Sequence, residues 1–142
     1  MRVLIVEDGF EYGTSLARFL PTFTFTRAGS GPEALALLAS AAFDAVFLDM
    51  RFDRATELLG DPGELVARFN GDGVRARRHL EDHQGTYILA ALRAAGHGLP
   101  VLLSYDFGDE PRRFERLAGR HAPLAWVGDT ASPEEIARKL RG

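Results

Sequence analysis

The feature that most limits how this chain can fold is a short, branched apolar run that ends abruptly in carboxylates, and it occurs twice. Val3-Leu4-Ile5-Val6 runs straight into Glu7 and Asp8, and Ala45-Val46-Phe47-Leu48 runs into Asp49. Unbroken runs of this length and branching fit strands buried on both faces, as in a parallel sheet covered by helices. Val101-Leu102-Leu103, closed by Ser104, and Leu124-Ala125-Trp126-Val127 repeat the pattern, and Phe23-Thr24-Phe25-Thr26 alternates like a half-buried strand.

Helical signals fill the intervals. Tyr12, Leu16, Phe19 and Leu20 recur at helical spacing before Pro21, with Asp8 and Glu11 placed as a capping box. Ser30-Gly31-Pro32-Glu33 opens a second helix, Tyr87 to Ala95 and Pro111 to Ala118 read as two more, and Ser132-Pro133-Glu134-Glu135 caps a last one ending near Leu140. Five strands alternating with five helices predict one α/β domain over residues 1–142, a doubly wound five-stranded parallel sheet. One interval is too long. Asp49 to Ser104 spans 55 residues, roughly twice what one helix and its loops need. The excess is expected as an insertion at about Phe52 to Gln84, locally folded, with short helices from Asp61-Pro62 and Val74 to Asp82. It should partly cover the sheet edge that carries Glu7, Asp8 and Asp49, supply partner specificity, and be removable without unfolding the sheet.

With strand order 2-1-3-4-5, the first and third strands are neighbours, so Glu7, Asp8 and Asp49 converge on one crevice at the carboxyl edge. Carboxylates gathered this way repel one another, and a hard divalent cation such as Mg²⁺ relieves the repulsion. The 142-residue chain has 17 basic and 20 acidic side chains, a formal charge of −3 that disfavours direct nucleic-acid binding. It has no cysteine, which excludes disulfides, thiolate metal sites and cysteine nucleophiles. Its longest uncharged apolar stretch is far short of a bilayer span, so a cytoplasmic protein without a membrane anchor is expected.

The order Val3 to Asp8, Ser30 to Leu35, Phe43 to Met50, Leu99 to Ser104 and Ser132 to Glu135 resembles the receiver domain of bacterial two-component response regulators. The resemblance implies a flavodoxin-like fold and a place in phosphorelay signal transduction. By that resemblance Asp49 is the phosphoacceptor; Glu7, Asp8, Asp49 and the backbone carbonyl of Arg51 hold Mg²⁺; Ser104 is the switch hydroxyl; and Trp126 sits at the aromatic switch position. The partners implied are a histidine kinase or phosphotransfer protein and a downstream protein, with a homodimer compatible. Because no segment follows the last helix, output through protein contacts is expected, not through direct nucleic-acid binding.

Two positions depart from the family pattern. Where the family has a lysine after the fifth strand, this chain has Asp129-Thr130, and its only lysine, Lys139, lies in the last helix. Arg51 and Arg54 are the substitute cations within reach, although loop arginines ordinarily face solvent. Tyr105 follows Ser104 where the family has a small residue; it either narrows the site or fills space beneath the insertion. A phosphorylation-independent pseudo-receiver is therefore the alternative function. An aspartyl-phosphate phosphatase is a remote one, since Arg51 stands where such enzymes need a second acid. His79 and His83, four apart, have zinc-ligand spacing but no third ligand, and Arg75, Arg77 and Arg78 are offset by nearby acids, so solvated surface is expected for both groups.

Overall fold

Each apolar run forms a strand: β1 (Arg2–Val6), β2 (Thr24–Ala28), β3 (Ala45–Asp49), β4 (Val101–Ser104) and β5 (Leu124–Val127). All four pairings are parallel, and the order is β2-β1-β3-β4-β5. The computed structural model describes residues 1–142 and adds seven helices: α1 (Glu11–Phe19), α2 (Gly31–Ser40), α3 (Pro62–Arg68), α4 (Gly73–Asp82), α5 (Gln84–Ala94), α6 (Pro111–His121) and α7 (Pro133–Arg141). This is the flavodoxin-like arrangement with two extra helices after β3. None of the helices is long and apolar enough to cross a membrane.

Strand side chains alternate between two cores. Leu4, Val6, Val46, Leu48, Val101 and Leu103 pack with Ala34 and Leu38 of α2 and Ile88, Leu89 and Leu92 of α5. On the other face Val3, Ile5, Phe47, Leu102 and Val127 pack with Leu16 of α1 and Ile136, Ala137 and Leu140 of α7. The expected caps at Ser30, Asp61 and Ser132 form, each side chain accepting first-turn N–H groups. The cap expected from Asp8 does not: Phe10 precedes α1 and makes no side-chain cap bond.

The insertion is locally folded, as expected, but its ends belong to the core. Phe52 and Gln84 are both completely buried. The Phe52 N–H donates to the Glu81 carbonyl at 2.9 Å, and the Gly85 N–H donates to the Met50 carbonyl at 2.9 Å. The Gln84 amide stitches the segment shut: its Oε1 accepts from the Leu59 N–H at 2.7 Å, and its Nε2 donates to the carbonyls of Leu59 and Leu80. A buried amide with these bonds satisfied is a tertiary clasp, where sequence spacing had suggested only the edge of a loop. Helices α3 and α4 make a hairpin around Leu65, Ala76 and Leu80. That hairpin packs on Leu58 and on Tyr87 of α5, and contributes no residue to the carboxyl-edge crevice. The expected cover over the crevice is thus limited to Asp53 and Arg54.

Candidate functional site

Register brings Asp49 and Ser104 side by side, since they are paired at the ends of β3 and β4. The loop after β1 approaches from the other side and is fixed from β2. Arg27 donates through Nε to the Gly9 carbonyl at 2.5 Å and through Nη2 to the Glu7 carbonyl at 3.1 Å, and its guanidinium lies 4.0 Å from the Phe10 ring centre. Gly85 fixes the third side: a Cβ there would stand 2.6 Å from the Asp49 carbonyl oxygen and 2.8 Å from the Met50 Cα, so only glycine lets α5 approach this closely.

The two acids after β1 take different paths. Glu7 is 1% exposed and turns beneath α1, accepting from the Tyr12 N–H at 3.1 Å and the Gly13 N–H at 2.7 Å. It satisfies first-turn donors that α1 leaves open, the task expected of Asp8. Burial raises its carboxyl above the usual range despite these bonds. Each of its oxygens thus accepts one α1 backbone bond, and Glu7 is not among the residues that line the crevice.

Asp8 does face the crevice, and Arg54 reaches back to it. The Arg54 N–H donates to Asp8 Oδ2 at 2.6 Å, while its guanidinium Nη2 stands 3.7 Å from Asp8 Oδ1 and 3.0 Å from Glu11 Oε1. Arg51 instead points outward to Asp82 at 3.4 Å. Of the two substitute cations, only Arg54 reaches the acids, and it contacts Asp8 and not Asp49.

The crevice is about 490 Å³, and five aspartates (Asp8, Asp49, Asp53, Asp106, Asp129) line it against two arginines, Arg51 and Arg54. Asp49 accepts from the Met50 N–H at 2.9 Å. Burial pushes its carboxyl up from 3.8 to about 6, and the charges of Asp8, Glu7 and Asp129 push the same way. No lysine lines the crevice. Lys139 donates to the Trp126 carbonyl at 2.7 Å and lies over the Trp126 ring.

Ser104 is 3% exposed and its hydroxyl is already engaged, 2.7 Å from the Tyr12 phenol oxygen. Tyr12 spans this gap by lying against Phe47, with ring centres 4.7 Å apart. By spacing it is one more apolar position on α1; its hydroxyl, one turn after the acidic pair, is the sequence signal for this contact. Tyr105 lines the crevice, but its hydroxyl donates to Glu110 at 2.5 Å and its ring packs edge-on against Phe107. Trp126 meets Phe107 edge-on at 6.0 Å, on the α6 side and outside the crevice. His79 and His83 are half-buried with rings 4.4 Å apart, and His83 Nδ1 is paired with the Arg113 guanidinium at 2.9 Å. This differs from the solvated face expected of them, because both rings pack against neighbours.

No three acidic or imidazole side chains stand close enough as placed to hold a metal ion together. The donor chemistry nevertheless suits Mg²⁺, which takes one or two carboxylates and keeps several waters. Asp8 and Asp49 supply the carboxylates, and the neighbouring acids add to the burial that raises the Asp49 pKa.

That raised pKa has a testable sign. A carboxyl at 3.8 when unfolded and about 6 when folded contributes nothing below pH 3.8, destabilises increasingly between 3.8 and 6, and does so fully above 6. Asp49→Asn is therefore expected to stabilise the metal-free protein by ~3 kcal/mol at pH 7 and hardly at all near pH 4, measured by urea denaturation.

No protein-family model matches the chain, and no curated protein matches it in sequence. Solved structures do match in shape. The receiver domain of the Francisella response regulator 1452 superposes with a TM-score of 0.68 at 15% identity, covering 99% of this chain and 93% of that one. The receiver domain of NtrX from Brucella abortus gives 0.65 at 17% identity, covering 98% of each. The chemotaxis protein CheY4 from Vibrio cholerae gives 0.65 at 17% identity, covering 99% of this chain and 95% of that one. At such identities what is shared is the fold.

Proposed function

We propose that residues 1–142 form a single receiver-like signalling domain in which Asp49 accepts a phosphoryl group, with output through protein contacts and not through turnover of a substrate. The observation that carries this reading is the juxtaposition of Asp49, Asp8 and Ser104 at one sheet edge, on a receiver fold. In the transfer, an Asp49 carboxylate oxygen attacks the phosphorus of a phosphohistidine. An O–P bond forms, the N–P bond breaks, and the imidazole leaves with the electron pair. Asp8, Asp49 and the Arg51 carbonyl would hold Mg²⁺, whose charge offsets that of the phosphoryl oxygens. Asp49 must be ionised to attack, and although burial raises its pKa to about 6 it is still mostly ionised at neutral pH. The donor is a histidine kinase or phosphotransfer protein, and the setting is cytoplasmic.

A specific observation favours a second reading, a pseudo-receiver that binds its partner without phosphorylation: Asp129 lines the crevice where a receiver would place a lysine, and Ser104 is already bonded to Tyr12. Incubation with acetyl phosphate and Mg²⁺ separates the two. The phosphoacceptor reading expects hydroxylamine-labile acyl phosphate that disappears in Asp49→Asn, and a protein that takes up none belongs to the second reading.

A further inference from the structure

We propose that Tyr12 and Ser104 act as one hydrogen-bond donor unit for an anion seated on Asp49, with Tyr12 a positioning residue of the phosphoryl site. The inference deepens the phosphoacceptor reading and rests on it. Three observations meet here: the two hydroxyl oxygens are 2.7 Å apart, Ser104 pairs in register with Asp49, and Tyr12, Ser104 and Asp49 all line the one crevice.

Proton counting gives the consequence. Each hydroxyl has one proton to donate. The bond between them uses one proton, so the pair has one left to offer an acceptor in the crevice, whichever hydroxyl donates to the other. If Tyr12 is replaced by phenylalanine, the Ser104 proton is released for that purpose. If Ser104 is replaced by alanine, the Tyr12 proton is released. Only loss of both leaves an anion on Asp49 without this donor. The packing of the ring on Phe47 survives Tyr12→Phe, so the single variant changes the hydrogen bond and not the wall. The unit is neutral, so it orients a phosphoryl group without supplying the charge of a lysine.

Beryllofluoride with Mg²⁺ is the probe, read by the fluorescence of Trp126, the only tryptophan, and by ¹⁹F NMR. Tyr12→Phe and Ser104→Ala are each expected to weaken binding less than ~3-fold. The double variant should weaken it by more than ~10-fold, the effect of removing a bond to a charged acceptor. Circular dichroism melts confirm that each variant is folded, and Ser104→Thr should bind as the unchanged protein does. Additive effects, or a double variant that binds normally, overturn the shared-donor role while binding that depends on Asp49 leaves the phosphoacceptor reading standing. Absence of beryllofluoride binding to the unchanged protein overturns both.

Discussion

Replacing residues 52–84 by a short Gly/Ser linker is expected to yield an unfolded chain, whereas trimming only residues 61–78 should leave a folded one. The full replacement removes Phe52, Leu80 and the Gln84 clasp, all buried. Truncating one buried phenylalanine to alanine alone costs ~3–5 kcal/mol, against a typical total stability of ~5–15 kcal/mol. The trimmed variant keeps all three and gives up Leu65 and Ala76, members of the small satellite cluster. Its ends are close enough to join, because a Cβ on Gly60 would stand 2.5 Å from the Leu80 side chain. The expected loss is ~2–4 kcal/mol. Thermal melts by circular dichroism check both outcomes; a cooperative transition in the full replacement would show that the insertion's ends are not part of the core.

The second large effect concerns cation binding, and it has opposite signs at two neighbouring residues. Asp8→Asn removes a ligand charge and should weaken Mn²⁺ binding by more than ~10-fold. Arg54→Ala removes the positive charge that pairs with Asp8 and Glu11, and should tighten Mn²⁺ binding by about 5–10-fold at low salt, less at high salt. Titration by isothermal calorimetry or water-proton relaxation gives both values. If both variants weaken binding, Arg54 is a support for the loop and not a competitor for the acids.

How far the sequence could be read follows the range of the interactions. All five strands and their order were legible because the apolar runs are local and the alternation of strands and helices leaves few topologies. The caps at Ser30, Asp61 and Ser132 were legible because each bond spans three residues or fewer. The cap of α1 passes from Asp8 to Glu7, and Asp8 instead accepts from the Arg54 N–H, 46 residues away. Sequence spacing alone is blind to a partner that distant. Gln84 looked like the end of a loop for the same reason, its partners at Leu59 lying 25 residues back. Asp49, Asp8 and Ser104 were placed correctly at one edge by topology. The engagement of Ser104 by Tyr12 was missed because a tyrosine at helical spacing reads first as a packing residue, and its hydroxyl finds its partner 92 residues later.

The most direct test of the phosphoacceptor reading is peptide-level mass spectrometry after treatment with acetyl phosphate, with Mg²⁺ and without it. One phosphoryl adduct on Asp49 that needs the cation and is lost in Asp8→Asn is the expected result. An unmodified Asp49 in the folded, Mg²⁺-saturated protein, or an adduct confined to another aspartate of the crevice such as Asp53, would contradict it.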